Sequence, residues 1–92
     1  MKVNLKFNGM PILYKTLNKK KELEIDFPGK TIRELIAKLI RQFGVPMQKA
    51  LLDSKGDVDV EIRVVLNDTY LTEGRMEAIL NDGDTLAFRG AS

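Results

Sequence analysis

Residues 28–44 read PGKTIRELIAKLIRQFG, and this stretch decides the fold. Thr31 and Glu34 have the spacing of a capping box, which predicts that a helix begins just after Thr31. Apolar residues then recur at the spacing of one helix face, and Gly44 suits the residue that closes a helix. The apolar positions are Ile32, Leu35, Ile36, Leu39, Ile40 and Phe43. The stretch therefore predicts one long helix with a single buried face.

Segments on both sides of this helix alternate between apolar and polar residues, as strands with one buried face do. The inward positions are Val3, Leu5 and Phe7 in residues 2–7, Leu23, Ile25 and Phe27 in residues 22–27, Val58, Val60, Ile62, Val64 and Leu66 in residues 58–66, and Leu86 and Phe88 in the last strand, residues 85–88. If the first two strands pair antiparallel, the outward lysines of one face the outward acids of the other, which helps to fix the register.

Shorter elements connect these strands. Residues 10–17 predict a helical turn that packs Ile12, Leu13 and Leu17 over one end of the core, and a second short helix is expected after Pro46 with Ala50, Leu51 and Leu52. Asn67–Asp68 and residues 81–84 predict turns, and Tyr70 and Leu71 a short strand between them. Residues 53–61 carry four carboxylates, but they have no glycine at the position that a calcium loop requires, and no acid stands at the twelfth position from Asp53. We interpret the segment as a solvated turn.

Composition excludes several classes of protein. A chain of 92 residues is expected to form one domain, residues 1–92, and a net charge of +2 is too small to indicate a nucleic-acid binder. The sequence contains no Cys and no His, so thiolate zinc sites, nucleophilic thiols and histidine bases are excluded. No apolar stretch predicts a membrane span or a signal peptide, which leads us to expect a cytoplasmic protein. We expect no metal and no cofactor.

The order of the elements predicts an α+β architecture. One amphipathic helix among few strands indicates a mixed sheet of four to five strands with the helix packed on one face. The core closes if the first and last strands lie side by side and parallel in the middle of the sheet, with the helix as their crossover. This arrangement is the β-grasp, the fold of ubiquitin.

Four stretches then resemble the MoaD/ThiS family of ubiquitin-like sulfur carriers, the small subunit of molybdopterin synthase being the closer match. MKVNLKF at residues 1–7 is similar to the first strand of the family, and residues 13–39 resemble its hairpin, Pro-Gly turn and helix. IRVVLNDTYL at residues 62–71 carries an Asn just after the strand, as the family commonly does. LNDGDTLAF at residues 80–88 resembles its ending, L-x-D-G-D-x-V-x-F.

The resemblance implies a function for the carboxyl-terminal tail, residues 89–92. In the family, an E1-like activating enzyme adenylates a terminal glycine, which becomes a thiocarboxylate and delivers sulfur within a larger synthase subunit to a pterin or thiazole precursor. Gly90 matches the family pattern, whereas Ala91 and Ser92 replace its Gly-Gly end. The chain would then be a carrier in molybdenum cofactor or thiamine biosynthesis, and not an enzyme. The alternative is a β-grasp accessory module that has lost the chemistry of the tail.

The sequence also predicts a face on which a partner protein docks. Outward residues of the last strands lie beside the tail, and ubiquitin-like proteins are commonly held by this face. We assign the partner-binding face to Arg63, Val65, Ala87 and Arg89, and also to Phe88 of the same strand, although alternation points its side chain inward. The competing interpretation is an ordinary solvated sheet surface. An independent enzyme is disfavoured, because no motif places a pair of titratable side chains and no loop has the pattern of a cofactor site.

Overall fold

Strands and helices account for most of residues 1–90, the part of the chain that the computed structural model describes. In chain order they are β1 (Lys2–Asn8), α1 (Pro11–Thr16), β2 (Glu22–Asp26), α2 (Ile32–Phe43), α3 (Val45–Leu51), β3 (Arg63–Leu66), β4 (Thr69–Leu71), a 3₁₀ turn (Arg75–Glu77) and β5 (Thr85–Arg89). The predicted strand–strand–helix–strand order is therefore present, with α1 and α3 as the two short helices.

The five strands form one mixed sheet in the order β2-β1-β5-β3-β4. The first and last strands, β1 and β5, are parallel neighbours in its middle, and every other pairing is antiparallel. A parallel pair needs a crossover between its strands, and α2 lies on that connection. The predicted α+β, β-grasp architecture is confirmed.

One core lies between the sheet and α2. The helix buries Ile32, Leu35, Ile36 and Leu39, as its apolar spacing predicts. The inward residues of β1 and β5 meet this face, and the rings of Phe7 and Phe88 stack with centroids 5.5 Å apart. Burial of these apolar side chains is the main contribution that stabilises so small a domain.

The start of α2 is capped by the predicted residues, although not by the full reciprocal pattern. The hydroxyl oxygen of Thr31 accepts the backbone N–H of Glu34 at 3.2 Å. The carboxylate of Glu34 accepts the Thr31 hydroxyl at 3.2 Å and the backbone N–H of Lys30 at 3.3 Å, whereas a capping box would use the backbone N–H of Thr31. The helix ends at Gly44, whose φ of 80° lies in the region that glycine tolerates best.

The strand predicted over residues 58–66 is wrong in its first half, because β3 begins only at Arg63. Val58 and Ile62 are buried as expected, but Val60 is 86% exposed. A local turn occupies residues 59–62: the carboxylate of Asp59 accepts the backbone N–H of Glu61, and its carbonyl accepts that of Ile62. Side-chain and backbone bonds within the loop thus replace the strand pairing that the alternation suggested.

Arg75 holds this loop in place, a role that no sequence pattern predicts. Its guanidinium donates hydrogen bonds to the carbonyl oxygens of Ile62 and Val58, both at 2.6 Å, and of Asp59 at 3.1 Å. A guanidinium offers five donors in a rigid fork, so one side chain satisfies three backbone acceptors. Residues 58–62 therefore form a pinned loop between α3 and β3.

A second correction concerns α1. The helical turn packs Leu13 and Leu17 into the core as predicted, but Ile12 is 60% exposed and lies outside it. Neighbours on a helix point about 100° apart, so a one-sided contact that buries Leu13 leaves Ile12 at the surface. None of the helices in residues 1–90 is long and apolar enough to span a membrane.

Candidate functional site

The candidate site lies on the face of the sheet opposite α2. In the β3–β5 register, Arg63 is opposite Arg89 and Val65 is opposite Ala87. In the β3–β4 register, Val65 is also opposite Tyr70, so these side chains share one face. We call Arg63, Val65, Tyr70, Ala87 and Arg89 the open-face patch. The structure thus brings together four of the five residues assigned to the partner-binding face.

Phe88 does not belong to this surface. Its side chain is fully buried and stacks on Phe7 in the core. Successive side chains of a strand point to opposite faces, so Phe88 must face α2 if Ala87 and Arg89 face outward. Assigning Phe88 to the partner-binding face is therefore wrong. Ala87 lies on the outer face but is only 8% exposed, since its methyl group sits between neighbouring strands.

Tyr70 is the residue of this surface that the sequence assignment missed. It is 52% exposed, and its hydroxyl oxygen accepts a hydrogen bond from the Arg89 guanidinium at 3.3 Å. Asn67 and Asp68 both have positive φ, 48° and 71°, which makes the tight hairpin turn that sets Tyr70 opposite Val65. The Asn-Asp pair in the sequence could have indicated this register.

Positive charge dominates the open-face patch. Arg63 and Arg89 are directly opposite each other, an arrangement that destabilises a sheet. Within residues 1–90, neither guanidinium lies within ion-pair distance of a carboxylate. Both side chains are exposed, so water screens most of the repulsion. The patch therefore offers an apolar row, Val65, Tyr70 and Ala87, beside two arginines that no carboxylate of the described chain neutralises.

One ion pair, which shifts the pKa values of both its members, lies away from this patch. Arg33 in α2 donates two hydrogen bonds to the Glu77 carboxylate, at 2.7 and 3.2 Å. These bonds lower the pKa of Glu77 below its usual range and raise the pKa of Arg33. The pair joins α2 to the 3₁₀ turn on the helix side of the molecule, so it is a structural contact and not part of the candidate site.

Gly90 is attached to the sheet. Arg89, which the sequence assigned to the tail, is the last residue of β5, and the Gly90 N–H donates to the Asn8 carbonyl at 2.8 Å. A Cβ at position 90 would collide with the carbonyl oxygen of Gly9. Packing alone therefore requires glycine here, independently of any chemistry at the tail. Ala91 and Ser92, the other predicted tail residues, lie outside the described residues.

The arrangement suits recognition of a protein partner more than catalysis on a small molecule. Within residues 1–90, no three acidic side chains lie close enough together to hold a metal ion. The carboxylates of residues 53–61 serve turns instead: that of Asp53 accepts the backbone N–H groups of Lys55 and Asp57. What the site offers is a flat, basic and partly apolar sheet surface beside the point at which the chain leaves β5.

Comparison with known proteins bears on the fold. No protein-family model and no curated protein sequence matches the chain. Solved structures do: Urm1 from Trypanosoma brucei has 25% sequence identity and a TM-score of 0.76 over 99% of this chain and 92% of that one. The Amycolatopsis orientalis BexX/CysO complex has 24% sequence identity and a TM-score of 0.76, over 98% of this chain and 96% of that one. Small archaeal modifier protein 1 of Haloferax volcanii has 15% sequence identity and a TM-score of 0.77, over 99% of this chain and 98% of that one.

These neighbours are ubiquitin-like sulfur carriers of the MoaD/ThiS type, the type that the sequence resembles. At such low sequence identity, structural similarity over nearly the full length of both chains establishes the fold. The function has to be argued from the site. The chain has the β-grasp fold of the ubiquitin-like sulfur carriers.

Proposed function

We propose that the chain is a ubiquitin-like sulfur carrier of the molybdopterin synthase small-subunit type. Its carboxyl terminus would be activated to donate sulfur in molybdenum cofactor or thiamine biosynthesis. The observation that carries the proposal is the position of Gly90, which leaves the central strand β5 beside the open-face patch. A partner enzyme that docks on this patch would receive the segment that follows.

The chemistry divides between the chain and its partner. A terminal carboxylate attacks the α-phosphorus of ATP to give an acyl adenylate and pyrophosphate, and hydrosulfide then displaces AMP to leave a thiocarboxylate. The chain supplies the carboxylate, whereas the adenylating enzyme supplies the ATP site and the catalytic groups. The absence of Cys and His from the sequence accords with this division, since neither residue is needed on a carrier.

The patch suits an acidic partner surface with an apolar centre. Arg63 and Arg89 would meet carboxylates, and the Tyr70 ring and Val65 would be covered by apolar side chains. We expect two partners to use it in turn, an E1-like activating enzyme and a larger synthase subunit. The BexX/CysO complex is an example of a protein of this fold bound to another protein.

A second candidate function is a β-grasp accessory module that binds partners without carrying sulfur. Two observations favour it. Ala91 and Ser92 stand where the carriers end in Gly-Gly, and packing against Gly9 explains Gly90 without a reacting role. If Ser92 bore the reacting carboxylate, its hydroxymethyl group would lie beside that carboxylate, where glycine leaves room.

The test is ATP–pyrophosphate exchange catalysed by an E1-like adenylating enzyme of the same host. Three forms are compared: the 92-residue chain, the same chain with Ala91→Gly and Ser92→Gly, and a chain ending at Gly90. We expect the Gly-Gly form to exchange at least about tenfold faster than the parent, a change of about 1.4 kcal/mol in the barrier. The form ending at Gly90 should stay slow, because its last residue is bonded to Asn8 in the sheet.

The outcomes separate the two candidates. Equal rates for the parent and the Gly-Gly form would mean that Ser92 is tolerated at the reacting end. No exchange from any form, with binding to the enzyme retained, would overturn the carrier proposal and favour the accessory module. Intact-mass measurement of the protein from its native host adds an independent result, since a thiocarboxylate is 16 Da heavier than a carboxylate, or about 0.2% of a protein this size.

A further inference from the structure

A groove lies on the other side of Gly90, between helices α1 and α3 and the pinned loop. Its walls are mostly apolar, formed by Met10, Pro11, Ile12, Ala50, Ile62 and Gly90. We call it the tail-side groove. It joins segments that are far apart in the sequence, which is why the pattern of residues gave no sign of it.

Ile12 is the clearest indication that the groove is used. It is 60% exposed, whereas the next residue, Leu13, is fully buried. A single exposed isoleucine is common on protein surfaces. This one, however, borders a concave apolar wall immediately beside Gly90. Covering its side chain would remove a large apolar area from water, which favours binding.

Two carboxylates give the groove a charge preference. Asp59 and Glu61, both from the pinned loop, line it together with the apolar residues. The Asp59 carboxylate is held in place by the backbone N–H of Glu61 at 2.9 Å. Within residues 1–90, neither acid has a lysine or arginine nitrogen at ion-pair distance. A cation supplied by a partner would therefore break no ion pair of the described chain, since the Arg75 guanidinium bonds the backbone carbonyl of Asp59 and not its carboxylate.

We propose that the tail-side groove binds a segment of a partner protein in which a bulky aliphatic side chain adjoins a lysine or arginine. The aliphatic group would cover Ile12 and Ala50, and the cation would meet Asp59 and Glu61. Resting on the proposed carrier function, we assign this segment to the enzyme that receives the tail. That enzyme would contact opposite charges on the two sides of Gly90, acids in the groove and arginines on the open-face patch, which fixes its orientation.

The groove is tested with short peptides, so that the result does not depend on any activating enzyme. The probes are acetyl-Gly-Leu-Lys-Gly-amide and its charge-reversed match, acetyl-Gly-Leu-Glu-Gly-amide, titrated into the ¹⁵N-labelled full chain. We expect the lysine peptide to shift the amide signals of Gly9, Ile12, Ala50 and Gly90, with a Kd of about 1 mM. The glutamate peptide should shift them at least about tenfold more weakly.

Matched variants locate the contact. Ile12→Ser should weaken the lysine peptide about tenfold, whereas Ile79→Ser should leave binding unchanged. Ile79 is a fair control because it is 58% exposed and belongs to a different surface. Glu61→Lys should likewise weaken binding, whereas Glu73→Lys, which changes the net charge equally at another exposed position, should not.

Shifts confined to the open-face patch, equal shifts by both peptides, or no shift at the groove would overturn the inference. These results are independent of pyrophosphate exchange. If the groove binds the lysine peptide but the protein is never adenylated, only the carrier proposal is overturned. If the protein is adenylated but the groove binds neither peptide, only the binding role of the groove is overturned.

Discussion

The open face of the sheet has two halves that follow the same alternation but differ in charge. In the half built by β1 and β2, each outward lysine has an acid across the strand pair. Lys6 lies 3.8 Å from Glu22, and Lys2 lies 3.9 Å from Glu24. In the half built by β3, β4 and β5, Arg63 is opposite Arg89. The first half satisfies its own charges, and the second does not.

This difference shows which half a partner would use. Exposed ion pairs contribute little to stability, so the matched half chiefly fixes the register of β1 and β2. The unmatched half gains nothing for folding from two arginines that face each other. Apart from the hydrogen bond from Arg89 to the Tyr70 hydroxyl, the described chain gives these arginines no side-chain partner. The exposed ring of Tyr70 beside them supplies apolar contact area. The unmatched half is therefore the better candidate for a binding surface.

The largest expected effect tests whether the two halves differ only on their outer face. Leu5 lies under the matched half and Phe88 under the unmatched half, and both are almost fully buried in one core. Leu5→Ala should lower the free energy of unfolding by about 2–5 kcal/mol and Phe88→Ala by about 3–5 kcal/mol. Thermal and urea unfolding measure both. A Phe88→Ala protein as stable as the parent would return Phe88 to the surface, where the sequence assignment placed it.

The sequence predicted the fold well where periodicity alone decides the structure. Leu5, Ile25 and Leu39 are inward positions of alternating or helical segments, and all three are buried. It failed at Val60, because alternation marks residues that could form a strand without showing where pairing partners end. There the backbone bonds instead within the loop and to Arg75.

The candidate site was predictable to the same extent. Arg63 and Arg89 were found because strand alternation places them outward. Tyr70 was missed although the predicted turn at Asn67–Asp68 could have indicated that it lies opposite Val65. The packing role of Gly90 was missed for a different reason: it follows from the approach of Gly9, which only the parallel pairing of β1 and β5 creates. Contacts between distant segments have no local pattern in the sequence.

The second prediction contrasts Arg63 with an arginine that the fold does need. Arg75→Met should lower the free energy of unfolding by about 1–3 kcal/mol, because the carbonyl oxygens of Val58 and Ile62 lose the Arg75 donor and that of Asp59 keeps only the Ile62 N–H. Arg63→Met removes no hydrogen bond seen in the structure and should change stability by less than about 0.5 kcal/mol. Urea unfolding of both variants makes the comparison. Equal losses would mean that Arg63 has a structural role, and the unmatched half would no longer be free for a partner.

The third prediction concerns association with the activating enzyme. Arg63→Glu and Arg89→Glu should each weaken binding about tenfold at low salt, or about 1.4 kcal/mol. The loss should shrink as salt is added, because the interaction is between exposed charges. Lys6→Glu is the matched control in the other half, with the same change in net charge. Equal weakening by all three variants, measured by titration calorimetry, would show an effect of net charge and not of the patch.

The smallest effect is also the most specific, because its sign should differ between the halves. Arg89→Glu converts a like-charge pair with Arg63 into an opposite-charge pair, so it should stabilise the sheet by about 0.2–1 kcal/mol. Lys6→Glu places two acids opposite each other at the pair with Glu22 and should destabilise by a similar amount. Urea unfolding at low salt measures both, and added salt should reduce both. If Arg89→Glu destabilised the protein instead, the hydrogen bond from Arg89 to Tyr70 would outweigh the repulsion. The arginine would then be needed for the fold. The combination that we expect, a more stable protein that binds its partner less well, is the one that a purely structural role cannot produce.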